Sequence, residues 1–251
     1  MESLSVVIIS KDEASAIAAC LDSVAGLADE IVVLDSGSTD GTRELCIARG
    51  ARFIETDWQG FGVQKGRAVQ SACNDWVLCI DADERVTSEL SASIASILRA
   101  PSCSAYQFAR RNRFLGRYLQ HGEGYPDWSL RLFDRRAARW STDAVHEKVI
   151  CDAPVGKLTG DLLHDSAETL EGYLTKQNRY TSLAAEASDL EQVTISAARL
   201  VLSPITRFVK FYFLRGGFRD GVPGLVHIAI GCFNSFVKYA KIRERQNRRT
   251  A

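Results

Sequence analysis

Across the first hundred residues, short β-branched runs alternate with stretches of helical periodicity, and this alternation limits the possible folds more than any other feature. Leu4–Ser10 (LSVVIIS) reads as a strand covered on both faces, and Ile17, Leu21 and Val24 then fall at helical spacing within 14–24. Glu30–Asp35 (EIVVLD), Arg52–Glu55 and 75–80 (DWVLCI) are predicted as further strands, with helices over 39–49, 62–73 and 88–98. Short strands separated by helices imply right-handed βαβ crossovers and a mostly parallel central sheet with helices on both faces. Ligands of such sheets sit beyond the carboxyl ends of the strands. Ser10 with Lys11-Asp12-Glu13, then Asp35, then Asp81 and Asp83 all follow predicted strands, so they should converge on one edge.

Beyond residue 104 the pattern changes. Shorter strands are predicted over 105–111, 129–134, 144–150 and 155–163. From 168 the chain reads as helical, broken at Pro204, Gly216-Gly217 and Pro223-Gly224. The expected organisation is an α/β body over 1–165 and a helical C-terminal extension over 166–251. With 46% hydrophobic and 25% charged residues in 251, the chain is an ordinary globular one, which excludes disordered and collagen-like classes. Its 31 basic and 31 acidic side chains are unevenly spread: residues 199–251 carry 11 basic and 2 acidic. An acidic body suits a cation site, and a basic tail suits a phosphate-bearing surface. Seven cysteines without a CxxC pair suggest reduced thiols in a cytoplasmic protein. The N-terminal apolar run is too short for a signal peptide, and no stretch is long enough for a membrane span.

Two segments point to chemistry. Asp81-Ala82-Asp83 sets two carboxylates at the end of a buried strand, which is costly unless a cation or a donor neutralises them. Mg²⁺ or Mn²⁺, completed by diphosphate oxygens and water, suits such an oxygen-rich site. A solvated loop ahead of a helix at Ser88 is the competing explanation. In Asp35-Ser-Gly-Ser-Thr-Asp-Gly-Thr, Gly37 permits a tight turn and Ser38 or Thr39 can cap a helix. Exposed amides there suit a nucleotide, although a plain strand–turn–helix connection needs the same residues. Neither GxxxxGK[ST] nor GxGxxG occurs.

SVVIISKDE, VVLDSGSTDGT, QKGRA and DWVLCIDADE, in that order, resemble the motifs of inverting nucleotide-sugar glycosyltransferases of family 2, which have the GT-A fold. GEGYPDWSLRLFDR, VHEKV, LLHDS and KQNRY resemble more narrowly a bacterial branch that adds glucose to the lipopolysaccharide core. The resemblance implies a UDP-sugar donor, with Asp35 at the uracil and Ser10 to Glu13 flanking the nucleoside. It implies that Asp81 and Asp83 form the DxD element, with Asp83 on a divalent metal and His164 completing its coordination. Lys65 would contact the donor, and Gly122-Glu123-Gly124 would face the donor sugar and acceptor. Glu147 falls at the catalytic carboxylate, in HE rather than the commoner ED, and Asp127 is the rival base. An inverting transfer needs one general base, with a metal stabilising the leaving diphosphate. The remaining histidines, His121, His146 and His227, are expected to be structural.

Several cations stand outside those motifs. Lys176 and Arg179 share a helical face, and Arg131, Arg135, Arg136 and Arg139 add charge on the expected acceptor side. Arg207, Lys210, Arg215 and Arg219 are interleaved with Phe208, Phe211, Tyr212, Phe213 and Phe218, ahead of an apolar helix expected over 225–237. That mixture reads as an interfacial segment lying on an anionic inner membrane surface rather than a nucleic-acid site, with an oligomer interface as the alternative. The expected function is transfer of a hexose, glucose by resemblance, from UDP-sugar to a lipid-linked core glycan. Another UDP-sugar, a polysaccharide acceptor, or a non-catalytic nucleotide-sugar-binding protein are the other readings.

Overall fold

The computed structural model describes residues 2–142, 147–166, 169–190 and 195–250. The strands are β1 (Leu4–Ser10), β2 (Glu30–Asp35), β3 (Arg52–Glu55), β4 (Trp76–Asp81), β5 (Glu84–Val86), β6 (Ala105–Phe114), β7 (Arg117–Tyr118), β8 (Asp127–Asp134), β9 (Ala138–Trp140), β10 (Val149–Cys151) and β11 (Val155–His164). The helices are α1 (Ile17–Val24), α2 (Thr42–Ala48), α3 (Phe61–Ser71), α4 (Ser88–Ile97), α5 (Leu170–Leu190), α6 (Ala197–Phe208) and α7 (Gly221–Thr250). By contact the chain divides into two units: residues up to 110 with 127–165, and residues 111–126 with 166 onward.

In the first unit, the main sheet runs β3-β2-β1-β4-β8-β6-β11-β5. β3, β2, β1 and β4 are parallel, while β8 joins β4 and β6 in antiparallel pairs. The apolar runs are continuous because both faces are covered. Val6 and Ile8 of β1 and Leu78 and Ile80 of β4 pack with Ile17 and Leu21 of α1 and Leu90 and Ile94 of α4. Val7, Val32, Leu34 and Val77 point the other way, onto Ala68 and Val69 of α3 and onto Phe133 and Trp140. The α/β architecture expected from the alternation is the one observed.

The differences are local. α2 starts at Thr42 rather than 39 because Asp40 Oδ1 accepts from Thr42 N (3.1 Å) and Thr42 Oγ1 (2.6 Å), with Gly41 at φ 92°. β5, β7 and β9 are two or three residues long and carry no periodicity of their own. The strand expected over 144–150 begins at Val149, and residues 144–146, His146 among them, lie outside the described residues. All seven cysteines are free.

The second unit is mainly α5, α6 and α7. α6 runs through Pro204, which costs one intrahelical hydrogen bond without ending the helix. A π-helical turn (Val209–Leu214) follows it, and a 3₁₀ turn (Gly217–Asp220) leads into α7. The thirteen-residue apolar helix expected here is instead part of a thirty-residue one, whose second half is polar and basic. Asp220, fully buried, accepts from the backbone N–H of Gln120 (2.9 Å) and His121 (2.7 Å) and so ties the 111–126 excursion to this unit. Gly122, at φ 69°, lies against Gly217 so closely that a methyl group would meet its Cα at 3.0 Å.

Ile8 lies in the central strand with no exposed surface. We expect Ile8→Ala to cost about 2–5 kcal/mol, read as a lowered urea midpoint with an unchanged slope.

Candidate active site

β1, β2 and β4 end side by side: Ser10 pairs with Asp35 and Ile9 with Asp81. The expected convergence of polar strand ends is therefore a matter of register. Asp35 is buried, and its carboxylate is fully engaged. Oδ1 accepts from Gly37 N (2.8 Å) and Ser38 N (2.7 Å), and Oδ2 from Ser10 Oγ (2.7 Å) and Ser38 Oγ (2.5 Å). Four donors match the four lone-pair positions of the carboxylate. Asp35 and Ser10 thus shape the turn at the ends of β1 and β2, the place at which the resemblance sets the nucleoside. Across the same turn, Asp12 Oδ1 accepts from Thr39 N (2.8 Å) and Lys11 Nζ donates to Gly37 O (2.6 Å). Gln64 of α3, fully buried, donates to Ser36 Oγ (3.1 Å).

The end of β4 lies in a lattice of ions. Lys65 Nζ, buried on α3, is 3.1 Å from Asp81 Oδ1 and 3.4 Å from Glu147 Oε1. Arg131, buried on β8, places Nη2 3.2 Å from Asp81 Oδ2 and 3.6 Å from Glu84 Oε1. Both cations lie over the Trp140 ring, Lys65 at 4.9 Å and Arg131 at 5.4 Å from its centroid. Glu84, with no exposure, accepts from Asp81 N (2.8 Å) and faces Arg110 Nη1 at 3.4 Å. Arg110 in turn holds Asp127 at 2.9 Å. Burial alone would raise the pKa of Asp81, but Arg131 and then Lys65 hold it well below the usual carboxylate range. For Arg131 burial is likewise outweighed, by Glu84 and Asp81, so its pKa is raised.

Asp83 points elsewhere. β5 pairs with the end of β11 so that Glu84 lies opposite His164, and His164 Nε2 comes to 3.2 Å from Asp83 Oδ2. Burial lowers the His164 pKa, yet the hydrogen bond and charge of Asp83, followed by Glu84, raise it overall. Glu13 is raised too, first by burial and then by the charges of Asp83, Asp40, Asp81 and Asp12. Negative charge in the Asp83 corner is thus incompletely compensated. A divalent cation fits those observations. Among the described residues no group of three or more His, Cys, Asp or Glu is arranged to hold one alone, so oxygens from outside the protein would have to complete it.

The nine expected site residues all fall in the first unit; Ser10 bonds Asp35, Glu13 stands by itself, and the structure links the other six as follows. Lys65, Asp81 and Glu147 meet directly, Asp83 meets His164, and Asp127 is linked to Asp81 through Arg110 and Glu84. Gly122-Glu123-Gly124, expected to face the donor, belongs to the second unit, where Glu123 pairs with Arg207. Of the acceptor-side arginines, Arg131 is a buried partner of Asp81, Arg135 donates to Ala72 O (2.6 Å), and Arg136 pairs with Asp134 (2.7 Å). Sequence reasoning missed Glu84, Arg110 and Trp140. Glu84 extends the DxD acids by one more residue, and that third acid was the available signal.

Residues 5–153 match the family described as Glycosyl transferase family 2. A protein of Rickettsia felis named as a glycosyltransferase is 32% identical over 256 residues, covering 97% of this chain and 90% of the relative. The lipopolysaccharide core biosynthesis glycosyltransferase LpsC of Rhizobium meliloti is 31% identical and covers 96% of this chain and 92% of its own. Among solved structures, glucosyl-3-phosphoglycerate synthase from Mycobacterium tuberculosis, in complex with Mg²⁺ and UDP, aligns with a TM-score of 0.50 at 18% identity. That alignment covers 78% of this chain and 81% of the other, and is a likeness of fold. With the family match spanning more than half the chain and two relatives aligned over nearly all of it, this protein is a member of glycosyl transferase family 2.

Proposed function

We propose that this glycosyltransferase moves a hexose, with glucose the first candidate, from a UDP-sugar to a lipopolysaccharide core or similar lipid-linked glycan, with inversion. The observation that carries the reading is the meeting of Lys65, Asp81 and Glu147 beyond the ends of the parallel strands. The acceptor class rests on the similarity to LpsC. A lipid-linked acceptor also fits work at the cytoplasmic face of the inner membrane, with the chain attached peripherally; no helix among the described residues is long and apolar enough to cross a membrane.

In the proposed reaction the acceptor hydroxyl oxygen attacks the anomeric carbon as the bond from that carbon to the UDP oxygen breaks. Glu147 takes the hydroxyl proton, and the diphosphate leaves with the bonding electron pair. Glu147 is preferred over Asp127 on geometry. Asp127 is gripped by Arg110 through both Nε and Nη2, whereas the contact of Glu147 with Lys65 is a single long one of 3.4 Å. Asp83 and His164 would hold Mg²⁺ or Mn²⁺, which when bound supplies positive charge to the departing diphosphate. Lys65 keeps Asp81 and Glu147 at one ammonium and so sets the base relative to the strand end. UDP release from a donor panel, with and without extracted lipopolysaccharide, tests the reading. No release from any donor would leave a nucleotide-sugar-binding protein instead.

Two substitutions separate the roles. Glu147→Gln keeps the shape of the side chain but cannot take a proton, so turnover should fall by about 10²-fold or more with donor affinity within a few-fold. Should Asp127→Asn show that pattern while Glu147→Gln keeps normal turnover, the base is Asp127.

Asp83→Ala should weaken Mn²⁺ binding, followed by electron paramagnetic resonance in the presence of UDP, and lower turnover by about 10²-fold or more. Its circular dichroism and melting temperature should stay near those of the parent, because Asp83 contributes no apolar packing. Unchanged Mn²⁺ binding by the variant would remove Asp83 from the metal site.

A further inference from the structure

In the second unit the helices meet partly through polar side chains. α6 turns Ser203 and Arg207 inward, where Ser203 Oγ meets Ser235 Oγ of α7 at 2.8 Å and Arg207 pairs with Glu123. α7 likewise buries Ser235 and joins α5 through Asn234 Nδ2 to Gln177 Oε1 at 2.9 Å. The outward face is apolar. Leu202, Ile205 and Val209 follow one another at helical spacing, with Ile205 55% exposed. The ridge continues through Phe213 (58%), Leu214 (79%), Phe218 and Val222 (69%). In water an amphipathic helix hides such a stripe, and large contiguous apolar patches mark a surface that meets something else.

Charge says what that is. Lys210 and Arg215, both exposed, lie 5.3 and 5.7 Å from the Phe211 ring centroid, and Arg219 lies 5.8 Å from that of Phe218. Arg207, expected among these border cations, is engaged with Glu123 instead. We propose that the ridge from Leu202 to Val222 inserts shallowly into an anionic lipid leaflet, with Lys210, Arg215 and Arg219 at the phosphate level. This deepens the proposed lipid-linked acceptor and rests on that reading for its biological sense, but not for its test. A two-fold contact between copies would set the same basic border against itself. An anionic headgroup layer meets that border with opposite charge, while the acyl region takes the apolar side chains. α6 is twelve residues long, about 18 Å, which suits lying along the interface rather than crossing it.

The test is sedimentation of the full chain with phosphatidylcholine vesicles, with and without phosphatidylglycerol. A triple Ile205→Ser, Val209→Ser, Phe213→Ser variant changes only exposed side chains, so its circular dichroism should match the parent. Its vesicle affinity should fall at least about tenfold on the anionic membranes. A Lys210→Gln, Arg215→Gln, Arg219→Gln variant should lose affinity for the anionic vesicles specifically and respond less to added salt. Parental affinity in the serine variant overturns the proposal. So does a parent that sediments as a dimer, becomes monomeric in the serine variant and binds vesicles equally in both forms. UDP release in the absence of vesicles should be unchanged in the serine variant. Lost vesicle binding in the parent, with UDP release intact, would sink the ridge alone; the reverse would sink the transferase reading alone.

Discussion

The carboxylate of Glu84 has no contact with solvent, and the geometry at the end of β4 depends on it. One oxygen accepts the Asp81 N–H at 2.8 Å, and the other faces Arg110 at 3.4 Å and Arg131 at 3.6 Å. Those arginines reach Asp127 and Asp81. A buried charge is expensive to desolvate, and removing one partner of a buried pair typically costs about 3–5 kcal/mol because the other is stranded. Here four or more ions share the cost, so each is tolerated only while the others stay in place. The lattice is thereby a positioning device, in which the strand end, the second strand β8 and helix α3 are fixed relative to one another by opposite charges.

The two units differ in how much apolar surface they bury. In the first, apolar residues occupy both faces of the sheet and the charges are gathered at one edge. In the second, polar pairs such as Ser203–Ser235 and Asn234–Gln177 lie between helices, and its apolar core of Ala185, Ile195 and Ile242 is small. Polar contacts between helices contribute little per bond in water, on the order of 1 kcal/mol each. A helical assembly so built gains from a less polar solvent at its outer face, because that face then adds burial that the interior lacks.

How much of this could be read from the amino acids depends on range. Runs such as Leu4–Ser10 and Glu30–Asp35 announce their strands because burial on both faces needs no partner information. The convergence of Ser10, Asp35 and Asp81 follows from parallel topology alone. The family resemblance gave Lys65 and Glu147 separate roles, but their meeting, eighty-two residues apart, was not foreseen, since nothing local encodes it. β5 is three residues long, yet its antiparallel pairing with β11 is what carries His164 to Asp83. The burial of Arg131 was illegible for a similar reason: an arginine on a strand looks exposed until the acids opposite it are known. The exposed apolar stripe of α6 was hidden as well, because helical periodicity shows that such a stripe exists and not which way it points.

Counting donors sorts the acids of the site by what they can still do. Asp35 has four internal donors, and Glu84 is taken up by a backbone amide and two guanidinium groups. Such carboxylates are fully engaged within the protein. Asp83 and Glu13 are in the opposite condition: Asp83 draws a proton toward His164, and its charge helps to raise Glu13. That is the electrostatic state of a corner short of positive charge. It lies across the end of β4 from Lys65, Arg131 and Arg110, which are already shared among Asp81, Glu84, Glu147 and Asp127. In the proposed reaction a divalent cation would supply what the Asp83 side lacks, with oxygens of the donor diphosphate completing its coordination. A strand end whose acids are paired on one side and short of positive charge on the other is therefore a more specific mark than the DxD acids alone.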